Sequence, residues 1–220
     1  SWGVSTRVIG MIIMAHGDDK GLKLPPAIAP IQVVIVPIIP KNSDPKTILD
    51  TAHQLADSLK GIRVKVDDRS EVSPGFKFNE WELKGVPLRV EIGPKDIEKN
   101  CVVVARRDID DVKTEVDFKS LTTEVPLLLD SIQSGMLSKS KDFLEENTQH
   151  AENMEDLIQK LSETDGFVSC YWNENKEDEL KIKELTKATI RCYPLDHSDE
   201  QPSINESEKS GKFVIFSKSY

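Results

Sequence analysis

Residues 74–96, PGFKFNEWELKGVPLRVEIGPKD, gather aromatic rings, carboxylates and cations into one short stretch. Stepped at about 100° per residue, Phe76 and Leu83 fall on one side of a helix. Phe78 and Trp81 fall roughly opposite, with Glu82 beside Phe78 at i+4. A surface helix needs one apolar stripe for its core. The second face therefore wants a partner, either another element of the fold or a ligand with flat rings. Gly85 suits the residue just past the helix end. Val86–Ile92 then alternates as a strand, with Arg89 and Glu91 opposite Leu88, Val90 and Ile92. Gly93-Pro94 ends that strand, and Lys95-Asp96 sits at the turn beyond it. Rings that stack, a carboxylate that accepts and cations that donate suit unstacked nucleic-acid bases. The alternative is a helix–strand unit with solvated charges, whose second aromatic face meets another helix.

The bulk composition limits what can surround this stretch. A chain of 220 residues holds one large or two modest domains. Its 38% hydrophobic content supports a core, and its 30% charged content implies much exposed surface. The richest apolar run, Val8–Ala15, is too short to span a bilayer and lacks a signal-peptide cleavage pattern, so no membrane partner is expected. Cys101, Cys170 and Cys192 have no CxxC spacing, which suggests a reducing, cytoplasmic setting. A net charge of −9 argues against a general polyanion binder, so any nucleic-acid contact must be local and shape-specific. The chain starts at Ser1 without Met, in what reads as a strand, and so reads as the C-terminal part of something longer.

Taken in order, Ser5 and Thr6 are good N-cap residues before Val8, Ile9, Ile12 and Ile13, which recur at helical spacing. His16-Gly17-Asp18-Asp19-Lys20-Gly21 reads as a polar turn, and Leu24-Pro25-Pro26 stops any helix. Ile31–Ile38 is a β-branched run suited to a buried strand. Asp44-Pro45 opens a helix whose stripe runs from Ile48 to Leu59, and Ile62–Val66 alternates as a strand, completing a βαβ unit. Asp67-Asp68-Arg69 follows at the strand end where open α/β sheets bind ligands. A short helix near Lys95–Lys99, a strand at Cys101–Ala105 and a hairpin partner at Val112–Phe118 come next. Residues 122–150 read as one long helix suited to a rigid connector. Beyond it, a helix (153–164), a strand (166–172), a charged helix (177–187), a strand (188–193), a polar mobile loop (197–211) and a final strand are expected.

SWGVSTRVIG with HGDDKGLKLPP resembles motif 3 of class II aminoacyl-tRNA synthetases, specifically the prolyl-tRNA synthetases of the archaeal/eukaryotic-like type. APIQVVIVPI, PGFKFNEWELKGVPLRVEIGPKD, KATIRCYP and FSKSY resemble later blocks of the same family in the same order. The resemblance implies an α/β fold. Residues 1–30 would end the catalytic domain, and 31–120 would form an anticodon-binding domain with a mixed, partly parallel sheet wrapped by helices. A connecting helix (121–152) and a smaller α/β C-terminal domain (153–220) would follow. It implies a proline--tRNA ligase that uses ATP and Mg²⁺, with proline and tRNA(Pro) as partners, located in the cytoplasm and homodimeric at full length. Motifs 1 and 2 are not in the chain, so these residues alone are expected to be inactive.

Site roles follow from the resemblance. Arg7 would be catalytic and contact ATP, with Gly3 letting the strand approach the nucleotide. A guanidinium stacks on adenine and offsets phosphate charge while staying protonated. Phe78, Glu82, Arg89, Lys95 and Asp96 would read the two guanines shared by proline anticodons. Phe78 can stack, Glu82 and Asp96 can accept from guanine N–H groups, and Arg89 and Lys95 can donate to O6, N7 or a phosphate. The carboxylate of Tyr220 would reach toward the active site, the alternative being a frayed terminus. His16 reads as a turn residue with a structural role.

Relatives often carry a four-cysteine zinc site in the last domain, and this sequence departs from it. Cys170 remains, Asp178 stands where a second cysteine would align, and the later pair is absent. No metal is therefore expected, zinc included, since structural zinc normally takes four ligands. A divergent site of Cys170, Asp178 and His197 is one alternative. A zinc-dependent regulator is another. A third is a non-catalytic RNA-binding module built on an anticodon-binding domain, although such a module would have no reason to keep Gly3, Arg7 and HGDD.

Overall fold

The computed structural model describes residues 3–41, 43–110, 112–197, 199–206 and 208–218. The chain divides into two compact units, 1–140 and 141–220.

The first unit opens with α1 (Arg7–His16), followed by β1 (Val33–Pro37) and α2 (Pro45–Ser58). Then come β2 (Val64–Val66), α3 (Pro74–Leu83), β3 (Leu88–Ile92) and α4 (Pro94–Lys99). The antiparallel pair β4 (Cys101–Arg106) and β5 (Lys113–Asp117) precedes α5 (Leu121–Glu146). The sheet order is β2-β1-β3-β4-β5, parallel on the β1 side and antiparallel from β3 onward. The parallel β1–β2 pair joined through α2 is the βαβ unit read from the sequence, and the mixed sheet is the one the family resemblance implies.

Local chemistry starts α2, α3 and α4. Asp44 caps α2 by accepting from the Lys46 and Thr47 amides, and Pro45 at the first position has no amide to satisfy. Ser73 accepts from the Phe76 amide ahead of Pro74. Asp96 accepts from the Gly93 amide at 2.8 Å and closes the first turn of α4.

Val33, Ile35, Leu88, Val90, Ile92, Val102, Val104 and Val116 point to one face of the sheet. Ala52, Leu55 and Leu59 from the α2 region cover them, with Leu121, Val125, Leu129, Ile132 and Met136 of α5. Residues 121–152 read as a connecting helix, but α5 buries a full apolar stripe in this core and ends at Glu146. Residues 148–150 are a strand instead.

The opposite face is covered by α3, where Trp81 packs with Val34, Val36 and Val86. Both apolar faces of α3 predicted from spacing exist, and the Phe78–Trp81 side is the inner one. Phe76 and Leu83 are exposed. The position of α3 is set by Asp67, which is only 2% exposed. Its carboxylate takes the Trp81 indole N–H at 2.7 Å and Arg69 through Nε at 2.8 Å and Nη2 at 2.7 Å. Its carbonyl accepts from the buried Lys77 ammonium at 2.9 Å. Arg69 continues to Glu80 at 2.5 Å, and Lys84 closes on Glu80 at 2.6 Å. The ligand edge expected at Asp67–Arg69 is thus a structural clasp. The Arg69 guanidinium, with help from the Trp81 N–H, holds the Asp67 carboxyl well below the usual carboxylate range.

The second unit contains β6 (Thr148–His150), α6 (Met154–Glu163), β7 (Phe167–Trp172), α7 (Lys176–Thr186), β8 (Ala188–Cys192), β9 (Glu200–Pro202) and β10 (Ser210–Lys218). Its sheet runs β6-β7-β10-β8, with β9 paired to β10. Leu157, Leu161 and Ile182 cover Val168, Cys170, Trp172, Val214 and Phe216. The loop expected to be mobile over 197–211 carries β9 and is tied down by a polar net. The Asn173 amide donates to Ser203 Oγ at 2.8 Å and to Asn205 Oδ1 at 3.0 Å. The side chains of Asn173 and Asn175 each donate to Glu206 at 3.0 Å. Asn205 returns a bond to the Asn173 carbonyl at 3.1 Å, and Ser203 also bonds Asn205.

Two stability predictions follow. Asp67→Ala leaves the buried Trp81 N–H without its acceptor and removes the carboxylate beside the buried Lys77 ammonium, and should cost about 3–5 kcal/mol in urea unfolding at pH 7. Because the folded Asp67 pKa is depressed, its stabilisation is complete above the unfolded value of about 3.9 and is lost as pH falls below it. Wild type should therefore lose stability steeply below about pH 4, and Asp67→Asn should show a shallower acid limb. Asn205→Ala removes the bonds from Asn205 to the Asn173 amide and carbonyl, each of which keeps one other partner, and should cost about 1 kcal/mol, read as a lowered melting temperature of the second unit.

Candidate nucleic-acid interface

Strand alternation puts Arg89 and Glu91 of β3 on the face opposite the main core. Arg89 lies beside Ala105 of β4, which lies beside Lys113 of β5. Glu91 lies beside Val103 and, beyond it, Glu115. Since α3 packs over β1, polar side chains occupy this part of the outer face. A cleft of about 170 Å³ opens there, lined among others by Lys20, Trp81, Glu82, Arg89, Arg106 and Lys113. It is smaller than the roughly 300–1,000 Å³ of typical small-molecule pockets. Its size and charged lining suit the edge of a planar group.

The guanidinium carbon of Arg89 lies 4.4 Å from the centroid of the Phe78 ring, a cation–π stack. Arg89 Nε donates to Glu91 Oε1 at 3.1 Å. Lys113 Nζ donates to Glu91 Oε2 at 2.8 Å and sits 5.7 Å from the Phe78 centroid. Glu82 stands one turn beyond Phe78, with Lys20 Nζ 3.9 Å from its carboxylate. Lys20 also donates to Asp110 at 2.7 Å.

The end of α3, which carries Glu82, is held from below by residues 18–24. The Leu22 amide donates to the Leu83 carbonyl at 3.0 Å and the Leu24 amide to that of Gly85 at 3.2 Å. The approach requires glycine on both sides. Gly21 has φ +128° and Gly85 φ +71°. A Cβ on Gly21 would lie 2.6 Å from the Leu83 backbone, and one on Gly85 would lie 2.6 Å from Leu22. Arg107, buried at 6% exposure, donates to the Glu82 carbonyl at 3.1 Å and forks onto Asp18 at 3.0 and 2.5 Å. That fork, with Lys23, holds the Asp18 carboxyl far below its usual range. The HGDDKG turn is therefore a brace for the cleft.

The residues expected at the site are placed unevenly. Glu82 and Arg89 line the cleft, and Phe78 joins it by stacking on Arg89. Lys95 is exposed at the start of α4, and Asp96 caps its own helix. Among the described residues, no hydrogen bond or ion pair links either one to Phe78, Glu82 or Arg89. Arg7 is exposed at the first position of α1, and Gly3 has open space around it. His16 is the last residue of α1 rather than part of the turn. Tyr220 lies outside the described residues. Glu91, Lys113 and the Asp18–Arg107 pair were not expected. Glu91 was visible only as a polar residue on an alternating strand.

The alternative metal set does not fit zinc. Cys170 is wholly buried in the second core, and burial pushes its thiol up to about 12, away from the thiolate that zinc requires. Asp178 pairs with Lys181 at 3.0 Å, and His197 stacks 4.0 Å from the Phe213 centroid.

Residues 32–126 match the family described as anticodon binding domain. The first unit is thus of the anticodon-binding class, a mixed sheet with helices on one side and a partly open face on the other. Residues 154–220 match the family described as prolyl-tRNA synthetase, C-terminal. The whole chain is 46% identical to a proline--tRNA ligase of Roseiflexus castenholzii and 47% identical to one of Natranaerobius thermophilus, covering 46% of each. It superposes on the crystal structure of the prolyl-tRNA synthetase from Cryptosporidium parvum complexed with L-proline and AMP. The TM-score is 0.88 at 37% identity, covering all of this chain and 47% of that one. The chain is similar along its whole length to prolyl-tRNA synthetases and spans about half the length of the relatives it matches. No described helix is long and apolar enough to cross a membrane.

Asp18→Ala should leave Arg107 buried without its carboxylate. Asp18 keeps 26% side-chain exposure, so the expected loss is roughly 2 kcal/mol, below the ~3–5 of a fully buried pair. Hydrogen exchange should speed up at the Leu22 and Leu24 amides and leave those of β4 protected.

Proposed function

We propose that this chain is the C-terminal half of a proline--tRNA ligase and supplies its anticodon reader. The observation carrying this reading is the Phe78–Glu82–Arg89 group on an open sheet face, in a chain similar along its whole length to proline--tRNA ligases. The stacked ring and guanidinium and the cleft carboxylate present donors and an acceptor to a guanine edge. Arg89 would donate to O6 and N7, and Glu82 would accept from N1–H and N2–H₂. Lys95 and Asp96, one element further on, would meet the second guanine.

In the whole enzyme, the proline carboxylate attacks the α-phosphorus of Mg²⁺-bound ATP, forming prolyl-adenylate and releasing pyrophosphate. A ribose hydroxyl at the tRNA 3′ end then attacks the acyl carbon and releases AMP. Arg7 and Gly3 would form one edge of that nucleotide site, with the Arg7 guanidinium offsetting phosphate charge. The exposed Ile9, Met11 and Met14 of α1 would be covered by the rest of a catalytic domain, of which residues 1–30 are the end. Residues 31–120 with α5 packed on their sheet would be the anticodon domain, and the second unit, from β6 onward, the C-terminal domain. The full-length enzyme would be a cytoplasmic homodimer with Tyr220 directed toward the active site.

The test is binding of tRNA(Pro) transcripts with both anticodon guanines replaced. Affinity should fall sharply for the replaced transcripts, and unchanged affinity would refute the reading. Glu82→Ala and Arg89→Ala should each cost about 1–3 kcal/mol against the native anticodon. The chain alone should show no ATP–pyrophosphate exchange, and measurable exchange would overturn the assignment of the activity to the longer protein.

A further inference from the structure

Glu91 is an expensive residue to keep where it is. It sits on the outer sheet face at 6% exposure, and a buried carboxylate is tolerated only with close partners. It has two, Arg89 and Lys113. Buried ion pairs of this kind add little net stability relative to apolar packing, so stability does not explain the arrangement. Its geometry does suggest a purpose.

Arg89 approaches Oε1 of Glu91 with Nε and Nη2, each at 3.1 Å. One edge of the guanidinium is therefore spent on Glu91. One of its faces is spent on the Phe78 ring. The end-on edge, with one N–H of Nη1 and one of Nη2 lying parallel, has no acceptor among the described residues. A parallel pair of donors is the fork that bidentate recognition of guanine O6 and N7 requires. A free arginine side chain would sample many rotamers, and this one is fixed by a ring below and a carboxylate at its side. Lys113 caps the second oxygen of Glu91, which offsets its charge next to RNA. The Lys113 side chain is half exposed, at 50%, where a phosphate could reach it.

We propose that Glu91 is the positioning residue for guanine readout, orienting the free edge of Arg89, and that Lys113 is its counter-cation and a contact to the RNA backbone. The proposal rests on the anticodon-reading function above.

The test uses the full 220-residue chain and tRNA(Pro) transcripts carrying either guanine or adenine at each of the two anticodon positions. The readout is the ratio of the two affinities, which a merely structural role would not move. Glu91→Gln keeps the shape but exchanges one accepting oxygen for a donor, and should lower the guanine-over-adenine ratio about tenfold or more at one position. Arg89→Lys should give the same loss, and the double variant should lose no more than either single one. Lys113→Ala should preserve the ratio, weaken both transcripts equally and reduce the salt slope by about one. Glu91→Asp keeps the charge one methylene short and should give an intermediate ratio; it decides the matter if Glu91→Gln does not fold. A wild-type ratio in a folded Glu91 variant overturns the positioning role while leaving anticodon reading intact. No discrimination by the wild-type chain overturns both.

Discussion

One ten-residue helix is stationed over one side of a five-stranded sheet, and much else follows from that mismatch. Five strands spaced about 4.8 Å apart make a sheet roughly 20 Å wide. A helix with its side chains covers about 10 Å. The inner face avoids the shortfall because α2 and the long α5 both pack on it. The outer face cannot avoid it. Where α3 lands therefore decides which part is core and which part is available to a ligand. The Asp67 carboxylate, receiving the Trp81 indole and Arg69 and backed by the buried Lys77, places α3 over β1. Arg89, Glu91 and Lys113 are left beyond its edge.

The rim of that open area is stiffened from two directions. Gly21 and Gly85 let two backbone segments approach closely enough to exchange hydrogen bonds, and Arg107 binds Asp18 and the Glu82 carbonyl together. Glu82 is thus carried on a helix end whose last turn is fixed by groups from residues 18–24 and 107. Preorganisation of this kind lowers the ordering cost of binding a flat, polar ligand edge. It also makes the segment after α1 part of the same rigid unit as the cleft, so a polar turn that resembled part of a synthetase motif acts as scaffold.

The second unit solves a different problem, the joining of two loops that carry little apolar surface. Here amide, hydroxyl and carboxylate groups from residues 173–175 and 203–206 satisfy one another and the backbone between them. Cys170 serves as a small apolar residue inside the core of the same unit.

Much of this was legible in the sequence because its signals are local. The β-branched run at 31–38 requires a strand buried on both faces. Asp44-Pro45 requires a helix start. The alternation at 86–92 places Arg89 and Glu91 on one side. The order of motif-like blocks carried the family. Other features depend on partners distant in sequence. Helical spacing gave α3 two apolar faces but could not say which would be covered, since both Phe76–Leu83 and Phe78–Trp81 are apolar and the answer lies in Val34, Val36 and Asp67. Asp67 looked like a ligand group and became a clasp because Trp81, 14 residues away, points its N–H at it. The polar run at 197–211 looked mobile because its anchors sit some 30 residues earlier, at Asn173 and Asn175. Residues 74–96 alone established that rings, a carboxylate and cations would lie close together. Only the tertiary structure decided that Trp81 is core, that Phe78 stacks on Arg89, and that Glu91 turns a flexible cation into an aimed one, because burial depends on what lands on a surface and not on the residues that make it.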